Sequence, residues 1–286
     1  MATINKLLSA GFFRLKKNLL FWLSMVFMAI AGISFPLAAY ADSQKYGLVY
    51  TLEGNFFTSA VFAVILSSVF CSLFIGADYS SGTIRNKVIA GHNRVSLYLA
   101  NLVICIAACL LMTAAYSAAY LATGLPLLGT FTISAKTVMT FVAILLCLII
   151  AASALFTVIS MLISSKASSA VTCILLAFIL LFAGTYLNAR LNEEEMYPVY
   201  DYGEEYGYYS SENGPPDATM IKNPNYLEGT ERQVYQFLYD FLPGGQMIQC
   251  ASVDALHPKR MPAYSLIIAV ASTGIGLFFF RRKDMK

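Results

Sequence analysis

The chain has 286 residues, of which 58% are apolar and only 12% are charged. Soluble globular chains average about 45–50% apolar and about 25% charged residues, so too few charges are present here to cover a water-exposed surface. The composition argues against a soluble enzyme, a nucleic-acid-binding module and a disordered chain. It indicates a polytopic membrane protein, and we expect no nucleic-acid partner.

The first 17 residues are basic and carry apolar residues at helical spacing. These residues are Ile4, Leu7, Leu8, Gly11, Phe12 and Leu15. The pattern predicts an amphipathic interfacial helix on the anionic inner leaflet of the membrane. The alternative is a frayed basic N-terminus that serves only to set the topology.

Six apolar runs without Asp, Glu, Lys, Arg or His have about the length needed to cross roughly 30 Å of hydrocarbon. They span residues 19–40, 56–76, 95–122, 138–163, 168–187 and 263–280. Backbone polar groups in lipid must be paired within helices or a closed barrel, and continuous runs without alternation exclude the barrel. We therefore predict an all-α polytopic membrane protein with six transmembrane helices, the fourth and fifth forming a hairpin around the turn 164–167.

The first of these runs has a second interpretation. Together with Lys16-Lys17 before it and Ala39-Tyr40-Ala41 at its end, it resembles a secretory signal peptide with a cleavage site. The apolar region of a signal peptide has about 7–15 residues, and this run is longer. Its length favours an uncleaved first span.

Orientation follows from the distribution of charges. Basic residues dominate the N-terminus, the second and fourth loops and the C-terminal tail, whereas the other loops hold most of the 16 acidic residues. By the positive-inside rule, both termini are predicted to be cytoplasmic. We expect a multi-pass protein of the plasma membrane, of bacterial origin.

The chain divides into an interfacial helix with five spans (1–187), an external segment (188–262) and a sixth span with a basic tail (263–286). The external segment begins with an acidic, tyrosine-rich stretch over residues 193–209. This stretch either attracts cationic amphipathic peptides or is a disordered, solvated loop, which its composition favours. Apolar residues at helical spacing then predict an amphipathic helix over residues 231–242, ended by Pro243-Gly244-Gly245, and a second short helix over 246–256.

The residue pattern of the loop after the second span, residues 76–94, predicts a short helix. Ser80 or Ser81 is placed to cap its start and Gly91 to end it. Ile84 and Val88 form one apolar stripe, so the helix would act as a peg that docks into a groove of a partner. The alternative is an ordinary loop whose basic residues only enforce the topology.

The same loop resembles the ABC-2-type permeases of ATP-binding-cassette exporters. The resemblance lies in Asp78-Tyr79, two small residues and then Gly82-Thr83-Ile84-Arg85, directly after the second span. Members more often carry Glu where this chain has Asp78. The amphipathic N-terminal helix, the six spans, the external segment before the last span and the phrase Phe241-Leu242-Pro243-Gly244-Gly245 extend the resemblance over the whole chain.

The resemblance implies roles for two sets of residues. The segment that couples to an ATPase would comprise Asp78, Tyr79, Gly82, Thr83, Ile84, Arg85, Lys87 and Val88. The external gate would comprise Phe237, Phe241, Pro243 and Gly244. The N-terminal helix would be a connecting helix packed beside the coupling segment.

An energy source is the remaining requirement of a transporter. The chain has no GxxxxGK[ST] phosphate loop, and its apolar runs lack the ionisable residues that secondary transporters commonly use. Both features fit a non-enzymatic permease subunit, without a cofactor of its own, that dimerises with an identical or related permease and is driven by ATP bound to separate ATPase subunits. On this hypothesis Asp78 and Arg85 contact the ATPase or pair with each other, while Ile84 and Val88 fill its apolar groove.

Two other classes of protein stay open. A membrane receptor or sensor would use the external segment as a ligand site and the inner loop as its output. A membrane-embedded enzyme would need convergent His, Asp, Glu or Cys residues, and His92 and His257 are predicted to lie on opposite sides of the membrane as isolated residues.

Overall fold

The computed structural model describes residues 2–200 and 218–283, which are almost entirely helical. In chain order the helices are α1 (Ala2–Lys16), α2 (Leu19–Tyr46), α3 (Glu53–Phe56), α4 (Ser59–Ser80), α5 (Thr83–Ile89), α6 (Arg94–Leu128), α7 (Ala135–Leu162), α8 (Lys166–Leu191), α9 (Gly229–Phe241), α10 (Pro243–Ser252) and α11 (Met261–Arg282). Of the described residues between α8 and α9, two stretches form strands, β1 (Met196–Tyr200) and β2 (Ala218–Lys222).

Among the described residues, six helical segments are long and apolar enough to cross a membrane, which confirms the predicted fold class. They are α2, α3 together with α4 (Glu53–Ser80), α6, α7, α8 and α11. Each extends beyond its predicted apolar run, because a helix continues through polar residues at its ends. In particular, α2 continues through Ala39-Tyr40-Ala41 as far as Tyr46.

Side-chain caps define where several of these helices begin. The side-chain oxygens of Asn18, Ser134 and Ser165 accept hydrogen bonds from backbone N–H groups in the first turns of α2, α7 and α8. The first N–H groups of a helix have no partner within the helix, so an Asn or Ser at this position stabilises the start. Gly47 ends α2 in the left-handed conformation, with φ of 68°.

Helices α4, α6 and α7 form the core of the bundle. Among the 18 most apolar consecutive residues of each spanning segment, more than half are buried in α4, α6 and α7. The buried fraction is only 33% in α2 and 22% in both α8 and α11. Although a short turn joins α7 to α8, α8 packs mainly against α4 and α10, so the predicted hairpin of the fourth and fifth spans does not form a tightly packed pair. The outward faces of α2, α8 and α11 are apolar, as expected of surfaces that contact lipid or another subunit.

The N-terminal helix α1 packs against α6, with Leu7 and Leu15 buried. Gly11 allows this close packing, since a Cβ there would lie 2.0 Å from Ile104 Cδ1. The amphipathic helix is therefore present as predicted, but much of its apolar face contacts the bundle rather than lipid. We call the end of the bundle with α1, α5 and the C-terminal end of α11 the basic end, and the end with α9 and α10 the acidic end.

A strand hairpin and two helices occupy the acidic end. β1 pairs with β2 in antiparallel register, with Met196 opposite Lys222, so residues 196–200 are a strand rather than the solvated loop that composition favoured. Tyr and Val make up three of the five residues of β1, and both residue types favour strands. The rest of the acidic stretch, residues 201–209, lies outside the described residues.

Helices α9 and α10 agree with the two helices predicted in this region. α9 coincides closely with the amphipathic helix expected over 231–242, and it ends just before Pro243. α10 is shifted from its predicted range of 246–256. It begins at Pro243, which occupies its first turn, where the missing N–H of proline has no cost, and it ends already at Ser252. α10 inserts among α4, α7 and α8.

Candidate functional site

The short helix α5 projects from the basic end. Gly82 precedes it with φ of 68°, a conformation that glycine adopts without strain. Neither Ser80 nor Ser81 caps the helix, so that part of the prediction is wrong; the Ser81 hydroxyl instead bonds to the Thr83 hydroxyl at 2.8 Å. Gly91 follows the end of α5 with φ of 82°, which confirms its predicted role.

The two faces of α5 have different surroundings. Ile84 is fully buried within the chain and Val88 packs partly against the same core. Ile84 is therefore not available to fill a groove of a partner, contrary to the sequence-based hypothesis. The outward face instead presents Arg85, Asn86 and Ile89, and Ile89 is 73% exposed.

Ile89 was not among the sequence-predicted site residues. Its spacing could have revealed it, because residues four apart lie on the same face of a helix. Arg85 and Ile89 have this spacing, as do Ile84 and Val88. Once one stripe is assigned to the core, the other must face outward.

Asp78 at the end of α4 is the charged centre of the basic end. It is almost fully buried, and its carboxylate forms an ion pair with the Arg14 guanidinium of α1 and lies 3.8 Å from Lys87 Nζ of α5. Arg14 also lies over the ring of Phe74, 3.6 Å from its centroid. Asp78 pairs with Arg14 and Lys87, so the predicted alternative in which it pairs with Arg85 is wrong.

The electrostatics around Asp78 affect Lys87. Burial lowers the pKa of Lys87 below its usual value, Asp78 raises it, and the nearby Arg14 lowers it further. Lys87 therefore lies beside Asp78 although burial removes part of the water around its ammonium group. This arrangement fixes α5 to both α1 and α4.

Tyr79, which follows Asp78 in α4, connects this helix to the end of α7 and to Lys283 after α11. Its hydroxyl donates to the carbonyl of Met161 at the end of α7 and accepts a hydrogen bond from Lys283 Nζ at 2.9 Å. Lys283 Nζ also donates to the Met161 carbonyl at 3.1 Å. Burial lowers the pKa of Lys283 to about 8.

Arg94, at the start of α6, completes this connection. Its guanidinium donates to the carbonyls of Arg281 at 3.0 Å and of Lys283 at 2.5 Å. Neither Arg94 nor Lys283 is among the sequence-predicted coupling residues. No local pattern could have shown these contacts, because the partners are more than 180 residues apart.

The residues of the predicted external gate occupy two different environments at the acidic end. The rings of Phe237 and Phe241 stack with centroids 5.6 Å apart, and both lie edge-on to Tyr264 of α11. Pro243 and Gly244 are instead buried among the membrane-spanning helices. The gate residues thus follow one another in sequence without forming one cluster.

Two glycines allow α10 to lie directly against α8. A Cβ added at Gly244 would lie 1.8 Å from the Leu180 carbonyl oxygen, and one at Gly184 would lie 2.2 Å from the Gly244 carbonyl oxygen. Such backbone contact between helices requires small residues. Gly184 was not anticipated from the sequence.

Buried polar side chains join α9, α10 and α11. Gln246 Nε2 donates to the Asp240 carbonyl at 2.9 Å, and Gln246 Oε1 accepts from Ser265 Oγ at 2.5 Å. The Asp240 carboxylate lies 2.9 Å from His257 Nδ1. The expectation that His257 is isolated was therefore wrong, because its partner is brought to it by the fold.

Among residues 2–200 and 218–283, no three side chains of His, Cys, Asp or Glu are grouped so as to hold a metal ion. Comparisons with models of known protein families and with curated proteins found no match to the chain. The geometry of the two ends therefore provides the observations that bear on function.

Proposed function

We propose that this chain is a permease subunit of an ABC-2-type exporter, with its basic end in the cytoplasm of a bacterial cell. Separate ATP-binding-cassette ATPase subunits would bind the outward face of α5, and ATP would act only in those subunits. Two permease subunits, identical or related, would enclose the substrate pathway. The observation that carries the proposal is an exposed short helix fixed to a buried ion cluster at the end of a membrane-spanning helix.

The contacts of the basic end would transmit a force applied to α5. Asp78 links α5 to α1 and α4 through Lys87 and Arg14. Tyr79 and Lys283 link α4 to the ends of α7 and α11. A displacement of α5 would therefore move several helix ends together, as coupling through packed and hydrogen-bonded elements requires.

The exposed face of α5 also defines the chemistry of the partner. Ile89 offers an apolar contact beside the cation of Arg85. A complementary surface would have an apolar groove with an acidic rim, because opposite charges at the edge of an interface orient the partners. The face is small, so α1, which is tied to α5 through Arg14 and Asp78, would contribute to the interface.

At the opposite end, α10 would act as the external gate. It lies against α8 through Gly184 and Gly244 and is tied to α11 through Gln246 and Ser265. Movement of α8 or α11 would therefore displace α10. The aromatic cluster of Phe237, Phe241 and Tyr264 would cover the outer side of this gate, where the substrate leaves the pathway.

The second subunit would cover part of the apolar outer surface, and lipid would cover the rest. α2, α8 and α11 are the least buried of the spanning helices. Exposed rings and branched side chains populate α8, including Phe178, Ile179 and Phe182.

The experiment that tests the proposal is purification of the chain with its native partners. We expect an ATP-binding-cassette ATPase to copurify, and Arg85→Glu or Ile89→Asp to remove it. Lys166→Glu serves as the matched control, since Lys166 is an exposed cation at the start of α8, at the same end but outside α1 and α5. Retention of the ATPase by both α5 variants would contradict the assigned contact surface.

A membrane receptor or sensor is the second candidate. It is favoured by α9 and α10, which lie between α8 and α11 and are attached to α11 through Gln246 and the aromatic cluster. A ligand bound there would influence α11 directly. Copurification of a kinase through α5 instead of an ATPase would support this alternative over the permease.

A further inference from the structure

A cavity of about 500 Å³ lies at the acidic end between α9, the connection 253–260 and the first turn of α11. One face of α9 lines it, from Gly229 and Arg232 through Phe237 to Asp240. The other wall includes His257 and Arg260, just before α11 begins at Met261. The cavity therefore lies next to the outer end of a membrane-spanning helix.

The carboxylate in this cavity already has partners. One oxygen of Asp240 accepts from Gln236 Nε2 at 2.9 Å, and the other lies 2.9 Å from His257 Nδ1. Asp240 is also almost fully buried. It is thus a structural group that holds the wall of the cavity, with little capacity left for a ligand.

The two guanidinium groups retain donors. Arg232 Nη2 donates to the Leu191 carbonyl at 3.1 Å, whereas its Nη1 is buried without a hydrogen-bond partner among the described residues. Arg260 is exposed and takes part in none of the ion pairs formed within residues 2–200 and 218–283. A buried unpaired donor is unfavourable, so an anion that accepts from Arg232 would stabilise the site.

Besides Gln233, Gln236 and His257, the rest of the lining includes three apolar or aromatic side chains, Phe237, Leu256 and Tyr264. Phe237 lies edge-on to Tyr264 with ring centroids 6.0 Å apart, and Leu256 is 70% exposed. These side chains give the cavity a wall that continues towards the apolar surface of α11. A ligand that fits this environment has an anionic group at one end and an apolar group at the other.

We infer that the cavity binds a phosphorylated amphiphile. Its phosphate monoester accepts hydrogen bonds from Arg232 and Arg260, and its apolar part lies against Phe237, Leu256 and Tyr264. Guanidinium groups bind phosphate through paired N–H donors, and two of them match the charge of about −1.5 to −2 of a monoester. The inference does not rest on the permease proposal, since binding at the cavity requires neither an ATPase nor transport.

Titration calorimetry of the full chain in dodecyl maltoside, a detergent without phosphate, tests the site. The probes are dihexanoylphosphatidic acid, inorganic phosphate and dihexanoylglycerol. We expect saturable binding of the phosphatidic acid, at least tenfold weaker binding of phosphate because the apolar contacts are lost, and no binding of the uncharged diacylglycerol.

The decisive variant is Arg260→Gln, because Arg260 is exposed and is in no ion pair among the described residues; its thermal midpoint should match that of the unmodified chain. It should weaken binding of the phosphatidic acid about tenfold, the loss expected for a charge-assisted hydrogen bond. Lys259→Gln, which removes an adjacent exposed cation outside the cavity lining, should leave binding unchanged. Arg232→Gln should also weaken binding, with its folding checked by the thermal midpoint.

Three results would overturn the inference. They are the absence of saturable binding, equal affinities of the Arg260→Gln and Lys259→Gln variants, and equal affinities for phosphate and the phosphatidic acid. The last result would assign the site to free phosphate and remove the role of the apolar wall.

Discussion

Arg14 of α1 and Asp78 of α4 form a partly buried ion pair, 64 positions apart in the sequence, and Lys87 of α5 lies on the other side of the same carboxylate. Three helices therefore meet at one side chain. Removing the carboxylate would leave two cations without their counter-charge, and breaking a buried pair from one side is strongly unfavourable.

Asp78→Asn should lower the thermal midpoint of the purified protein and release α1. The loss is on the order of 2 kcal/mol, because Arg14 and Lys87 are both partly exposed and solvent reduces the effect. Asp78→Glu keeps the charge and should retain most of the stability. Thermal unfolding measures the loss of stability, and protease accessibility of α1 measures its release from the bundle. Equal midpoints for Asp78→Asn and the unmodified chain would show that the pair does not hold α1.

The two isoleucines of α5 offer a matched comparison of the buried and exposed faces. Ile84→Ala should destabilise the protein by about 2–5 kcal/mol, because it leaves a cavity in a packed core. Ile89→Ala should change stability by less than about 0.5 kcal/mol, since Ile89 is 73% exposed. Thermal unfolding of both variants checks the assignment. An equal effect of the two substitutions would mean that α5 is rotated relative to its described position.

Gly244→Ala should displace α10 from α8. The added Cβ would collide with the backbone carbonyl of Leu180, which cannot move without shifting α8. Gly274→Ala is the control, because a Cβ there has no neighbour within 4 Å and alanine favours a helix. Crosslinking between α8 and α10, together with the thermal midpoint, should detect the change only in the Gly244 variant. Unchanged crosslinking in Gly244→Ala would exclude the close backbone contact.

The lowered pKa of Lys283 predicts that the stability of the protein depends on pH. Burial lowers its pKa from 10.5 to about 8 in the folded chain, so between these values the unfolded chain binds more protons than the folded one. Stability from this group should therefore rise as the pH increases from about 8 towards 10.5, and it should not vary below that range. Lys283→Met should lack this rise. The thermal midpoint of both proteins, measured across the range, checks the sign, and parallel curves would contradict it.

Several features of this protein follow from the sequence by itself. The six spans depend on the length and hydropathy of local segments, and the caps at Asn18, Ser134 and Ser165 depend on neighbouring residues. The amphipathic helix α9 follows from local spacing in the same way. These features were predictable because their determinants lie within a few turns of one helix.

The candidate sites depended on tertiary structure. Only the packing of helices decided that Asp78 meets Arg14 rather than Arg85, that His257 meets Asp240, and that Gly184 meets Gly244. In each case the partners lie on different elements, and the rotation of each helix about its axis determines which side chains meet. That rotation is settled by the packing of whole surfaces, so it decided that Ile84 is buried while Ile89 remains available to a partner.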